Sequence, residues 1–300
     1  MAALLLCLVV SAAFAKVRVT TTTTDLASLV STVGGDLVDV TSLSRPIQDA
    51  HYLDATPGMI MRISRSDLFV ENGFELEVGW VPEVLRETRN RKVRPGGEGY
   101  VNASVSIQAI QIPESISRDQ GDVHPSGNPH YTLDPVLSQQ AARNIAAGLI
   151  RVDGSNRETY QKNLERYIEQ SNEIAQKWVQ KFEPYRGAGI IIYHKHFDYL
   201  LKKLGVEVID AIEPLPGLAP SAGHVARLIS NYDSESVKAV IMEPWHDQRV
   251  GRQVAQGIGV DLVVGCPTVG SCDGADCIVS LFETNAGIIL EAIKKASGGN

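Results

Sequence analysis

Three of the seven histidines in this 300-residue chain fall where a metal site could be built. His51 closes Gln48-Asp49-Ala50-His51, His130 closes Gly127-Asn128-Pro129-His130, and His194 follows the run Ile190-Ile191-Ile192-Tyr193. His51, His194 and Glu243 each come after a predicted strand. His130 lies just before Asp134, which heads a predicted helix. In open α/β sheets, ligands bind in the crevice outside the carboxyl ends of the strands. Three imidazoles converging on such a crevice suit a borderline metal, zinc first. A lone histidine is more often a satisfied structural residue, so the shared position carries the reading. The other histidines are expected outside the site. His196 should turn away from His194 at a helix start, His224 lies within a helix, and His124 and His246 sit on exposed loops.

Rival chemistries find little support. There is no Gly-x-Ser-x-Gly elbow for hydrolysis. No Walker-type phosphate loop is present, and no Gly-x-Gly-x-x-Gly follows the first strand. Asp273 and Asp276 read as a solvated acidic face rather than a cation loop. A net charge of −7 argues against nucleic acid, which wants basic patches.

The elements that must position these residues alternate. Strands are predicted over 17–22, 37–43 and 66–70, and helices over 26–33 (capped by Asp25, stopped by Gly34-Gly35) and 79–89. Another helix is expected to start at Thr56-Pro57, and one at Asp134-Pro135 that runs through 150. Proline at a first helical position has no amide hydrogen to waste there. The second half repeats the theme, with strands over 189–193, 206–212, 237–242 and 260–264. Its helices are expected over 197–204, 219–230, 248–256 and 281–295. Such βα alternation predicts parallel sheets covered by helices.

Residues 156–182 differ. Tyr160, Leu164, Tyr167, Ile174, Trp178 and Phe182 recur with helical periodicity. A helix of that length would run roughly 40 Å, long enough to join two domains. The chain therefore divides into 1–15, 16–150, a linking helix at 151–186, and 187–300. Two α/β domains joined by that helix are expected, with a metal expected in the cleft between them.

Residues 1–15 are apolar and uncharged and end in Ala13-Phe14-Ala15, an export signal with a small-x-small cleavage pattern. The run is too short to span a bilayer, and no later stretch approaches a span. Leu6 precedes Cys7 where lipidation wants a small residue, so a lipid anchor is not expected. Cys266, Cys272 and Cys277 remain after cleavage. In an oxidising compartment, one bridge with one thiol over stands beside three small buried residues.

At these residues the chain resembles the solute-binding proteins of bacterial zinc and manganese ABC transporters, the cluster A-I family. The resemblance covers nearly the whole mature chain. Residues 19–36 resemble the family's opening, and Gln48-Asp49-Ala50-His51 resembles its Asp-Pro-His motif with Ala50 in place of proline. The most specific match is Asn128-Pro129-His130-Tyr131-Thr132-Leu133-Asp134-Pro135, against Asn-Pro-His-x-Trp-Leu-Asp-Pro. His194-Lys195-His196-Phe197-Asp198-Tyr199, Ile212-Glu213-Pro214-Leu215-Pro216-Gly217 and Ile241-Met242-Glu243-Pro244 are also similar to family segments.

The resemblance carries three metal ligands onto His51, His130 and His194. Many members take a fourth from an aspartate after the last strand, where this chain reads Gly265-Cys266-Pro267-Thr268-Val269-Gly270. Glu243 is the expected replacement, with water or Asp49 behind it. The ordinary alternative for Glu243 is a cap on the helix after Pro244. Manganese-type members tend to carry glutamate at the third position. His194 there tilts the chain towards Zn²⁺ over Mn²⁺.

The implied role is a monomeric, periplasmic protein, not an enzyme, that hands zinc to an ABC permease. A three-histidine site with a bound water would also suit a hydrolytic zinc enzyme, with Glu243 as base. Extracellular adhesion with a structural metal is the third reading.

Overall fold

The computed structural model describes residues 15–115 and 124–298. The expected export signal, with Cys7, lies outside the described residues except for Ala15. The first half holds β1 (Val17–Thr21), α1 (Thr24–Gly34), β2 (Val38–Ser42), α2 (Pro57–Arg65), β3 (Leu68–Glu71), α3 (Val81–Glu87) and β4 (Tyr100–Asn102). All pairings are parallel, in the order β2-β1-β3-β4. After α4 (Leu137–Val152) and α5 (Arg157–Phe182), the second half repeats the plan. It runs β5 (Gly189–Ile192), α6 (Asp198–Leu204), β6 (Glu207–Ala211), α7 (Ala222–Asn231), β7 (Ala239–Met242), α8 (Gln248–Ile258), β8 (Asp261–Val264) and α9 (Ile278–Ala296). The second sheet is again parallel, in the order β6-β5-β7-β8.

The central strands explain themselves. Gly-Ile-Ile-Ile of β5 and Ala-Val-Ile-Met of β7 are buried throughout, because helices cover both faces of a parallel sheet. In each sheet the order reverses direction beside the first strand, between β1 and β3 and between β5 and β7. A crevice opens at that switch point.

The 26-residue α5 spans roughly 39 Å at 1.5 Å per residue. Its buried stripe is Tyr160, Tyr167, Ser171, Ala175, Trp178 and Phe182. Leu164 and Ile174 of the expected stripe are partly buried against the same core. That face packs on α1 and α4 of the first half and on α6 and α9 of the second. One apolar core accordingly runs through both halves, from Val19 and Leu29 to Ile190 and Phe282.

Several local expectations are corrected. Asp25 does not cap α1. Thr23 does, accepting from the Leu26 amide at 3.4 Å, and this frees the Asp25 carboxylate for longer-range contacts. The helix expected from Asp134 begins at Leu137, after a short 3-10 turn at Tyr131–Leu133. Asp134 still serves its start, its Oδ1 accepting from the amides of Val136 (2.7 Å) and Leu137 (3.3 Å). Three-residue β4 is too short to show a period, so the sequence did not reveal it. Cys266 and Cys272 are bridged, and Cys277 is the exposed thiol left over.

Candidate metal centre

The site forms where loops from the two sheets meet. His51 lies in a short 3-10 turn, Ala50–Tyr52, between β2 and α2. Asp49 caps that turn, accepting from the His51 amide at 3.0 Å. His130 stands immediately before the turn at Tyr131–Leu133, its amide held by Asn128 Oδ1 at 2.9 Å. His194 follows β5. One ring nitrogen from each of the three lies within 4.8 Å of the other two. Bonds of ~2.0–2.1 Å to a tetrahedral zinc put ligand nitrogens roughly 3.3 Å apart, so a modest contraction would close the set.

The tautomers are set by carboxylates. His51 Nδ1 donates to Asp49 Oδ1 at 2.6 Å, and His194 Nδ1 donates to Glu213 Oε2. In a neutral ring each bond would leave Nε2 free and aimed away from its partner, the arrangement that orients metal-binding histidines. Burial pushes the Asp49 carboxyl up, but the His51 hydrogen bond and charge outweigh it and hold it well below the usual carboxylate range. His130 has no carboxylate. It is 7% exposed, and its buried Nε2 has no hydrogen-bond partner. Burial first, then the neighbouring imidazoles of His196, His51, His194 and His124, keep it neutral well below the ordinary histidine value. An unpartnered buried nitrogen is costly, and a cation would satisfy it.

Glu243 follows β7 and is fully buried, and neither carboxylate oxygen has a hydrogen-bond partner. Its Oε2 lies 3.5 Å from His246 Nε2. Burial, and then the charges of Glu213 and Asp49, raise its pKa well above the usual range. It is not within the 4.8 Å set formed by the three histidines. The alternative of a helix cap is overturned, because Asp247 caps α8 by accepting from the Arg249 amide at 3.0 Å.

Three histidines expected elsewhere are found here. His196 does not turn away. Its ring stacks on His130 at 3.9 Å between centroids, and its Nε2 donates to the Pro267 carbonyl at 2.9 Å. Burial lowers its pKa to about 3. His246 is not on an exposed loop. It stacks on Tyr193 at 4.1 Å and lies 6.5 Å from His194. His124 Nε2 lies 3.1 Å from His51 Nε2. Of the seven histidines, His224 alone is placed apart, bonded to the Ala211 carbonyl at 2.9 Å. The missed signal for His246 was its three-residue step from Glu243 at the end of β7. For Glu213 it was a position after β6 matching that of Glu243 after β7.

Two parallel α/β units on a shared helix, with histidines from both meeting at the strand ends, define a cleft-type metal-binding protein. Residues 19–292 match the model of the family described as zinc-uptake complex component A, periplasmic, and the chain belongs to that family. It is 28% identical over 248 residues to the high-affinity zinc uptake system protein ZnuA of Bacillus subtilis, covering 81% of this chain and 76% of that protein. It is 24% identical over 288 residues to the manganese ABC transporter substrate-binding lipoprotein PsaA of Streptococcus pneumoniae, covering 93% and 90%. A crystal structure of ZnuA superposes with a TM-score of 0.78 at 21% identity, over 92% of this chain and 99% of that one. The metal-dependent lipoprotein YcdH of Bacillus subtilis gives 0.73 at 25% identity, over 92% and 99%. Several relatives are named as substrate-binding lipoproteins of metal ABC transporters. The chain is a metal-binding member of that class. Among the described residues no helix is long and apolar enough to cross a membrane.

Proposed function

We propose that this protein captures Zn²⁺ outside the cytoplasmic membrane, as a monomer, and delivers it to an ABC permease. The observation that carries the reading is the donor set. His51, His130 and His194 offer three imidazole nitrogens, two of them oriented by carboxylates. Imidazole suits zinc, whereas manganese prefers oxygen donors. Relatives named for zinc and for manganese both match, so donor chemistry has to decide between the metals. In a competition titration of the metal-free protein, zinc should displace manganese with a preference of at least ~100-fold, in line with the order of divalent affinities. Equal affinities, or manganese ahead, would overturn the zinc assignment.

The site is read as binding rather than hydrolytic. A hydrolytic zinc site keeps its fourth position open for water, and here that position is assigned to Glu243. Burial raises its pKa well above the usual range, and as a ligand it would bind ionised, since metal binding displaces protons from its donors.

We assign the fourth position to Glu243, whose unpartnered oxygens need either a proton or a cation. His124 is the competing donor, because its 3.1 Å approach to His51 Nε2 is close to the ~3.3 Å between two ligands of one tetrahedral zinc. Glu243→Gln keeps the shape and removes the charge. It should weaken zinc binding ~10- to 100-fold, the range for lost metal-site partners, with His124→Ala having the smaller effect. The reverse ranking would give the fourth position to His124.

A further inference from the structure

The loop after β8 carries no carboxylate towards the metal, yet it is bound from several sides. Cys266 and Cys272 close it with a disulfide. At its base, the Cys266 amide donates to Asn285 Oδ1 (2.8 Å) and the Cys266 carbonyl accepts from Asn285 Nδ2 (2.7 Å). Asn285 is fully buried on α9. The loop is thus fixed to the second half before it reaches the first.

It then contacts the first half twice. The Thr268 hydroxyl donates to the Pro46 carbonyl, just after β2. The Val269 amide donates to Asp25 Oδ1 at 2.8 Å. Asp25 is buried at the start of α1, and its Oδ2 accepts from the Thr132 hydroxyl at 2.7 Å. Thr132 is two residues beyond His130. The loop's third contact is the Pro267 carbonyl, which takes the Nε2–H of the His196 that stacks on His130.

The loop therefore reaches the His130 segment by two routes, one through Asp25 and Thr132 and one through Pro267 and His196. Pro267 and Thr268 also line the small recess between Asp25, His51, His130 and Trp245, whose ~30 Å³ is enough for about one water. The loop is therefore part of the wall beside the metal ligands.

We infer that the disulfide-closed loop 266–272 and Asp25 form a clasp that positions the metal site, holding His130 at its working distance from His51 and His194 without contributing a ligand. The inference rests on the zinc-binding reading of the three histidines. It assigns Asp25, Thr268 and the Cys266–Cys272 bridge a role in affinity. A clasp of this kind lowers the cost of bringing ligands from two halves together before the metal arrives, the benefit of a preorganised site. The single-atom contacts of Thr268 and Asp25 give it direction, and the disulfide keeps the loop from relaxing out of register.

The test uses the full mature chain with zinc, read by competition against a chromophoric chelator, and with cobalt as a spectroscopic substitute. Thr268→Val removes one clasp contact and leaves every proposed ligand and the disulfide in place. Thr268→Ser restores the hydroxyl. Asp25→Asn and the pair Cys266→Ala with Cys272→Ala remove the other two elements. Thr268→Val should weaken zinc about 3- to 10-fold, and each of the other two about 10-fold. All should keep one zinc per chain and shift the visible cobalt bands, and Thr268→Ser should bind as the parent does. Where the cysteine pair or Asp25→Asn folds poorly, the threonine pair alone decides. Lowered melting temperatures with unchanged zinc affinity and unchanged cobalt bands would make the loop merely structural and overturn the clasp. An unaltered protein that takes up no zinc would instead defeat the zinc reading itself, a result distinct from failure of the clasp.

Discussion

His130→Ala should abolish useful zinc binding. Losing an outer partner of a metal site costs ~10- to 100-fold, and loss of a ligand itself should exceed that. His130 gives the cleanest test because its Nε2 is buried and bonded to nothing. The metal-free variant should stay folded, since His130 is fixed through its backbone amide and the turn that follows. His224→Ala is the control, because its ring is bonded to Ala211 away from the site. His196→Ala is not, given its stack on His130. The comparison is made by zinc titration beside a thermal melt without metal. Full affinity in His130→Ala would remove the three-histidine site altogether.

Zinc should also be lost in acid. A ring nitrogen holds a proton or a metal, so affinity falls as pH drops through the ordinary imidazole value of about 6.5. His130 departs from that behaviour. Its folded pKa is lowered well below that value by burial and then by neighbouring imidazoles, so protons compete for it less than for an ordinary histidine.

The same shift affects stability with a definite sign. Below about 6.5 an unfolded histidine takes up a proton that folded His130 and His196 refuse. Their contribution to stability is therefore complete above that pH and is lost as pH falls towards the folded value, about 3 for His196. Buried carboxyls act in the opposite sense. Asp25 and Glu77, raised by burial to about 6 and about 7, lose stability as pH rises through those values. Melting the metal-free protein across pH 4 to 8 separates the two. A zinc affinity unchanged between pH 7.5 and 5 would rule out histidine ligation.

The sequence by itself determined the alternation of strands and helices, the 26-residue α5, and the convergence of His51, His130 and His194. Those features are local. Periodicity marks α5, apolar runs mark β5 and β7, and a residue in the loop after a parallel strand, as His51 and His194 are, faces the crevice, while His130 was placed by its Asn-Pro-His motif. The order of the strands and the partners of the ligands needed the tertiary structure. Asp25 looked like a helix cap because capping is read from neighbours, and only packing brings it to Val269, 244 positions away. His196 and His246 looked peripheral because the ring stacks that hold them join separate loops. A single bridge among three cysteines was one of two readings, and its pairing, Cys266 with Cys272, needed the structure, since spacing alone does not set sulfur positions. Short-range order placed His51 and His194 in loops that follow strands, and long-range packing decided which other side chains join them and what stands behind them.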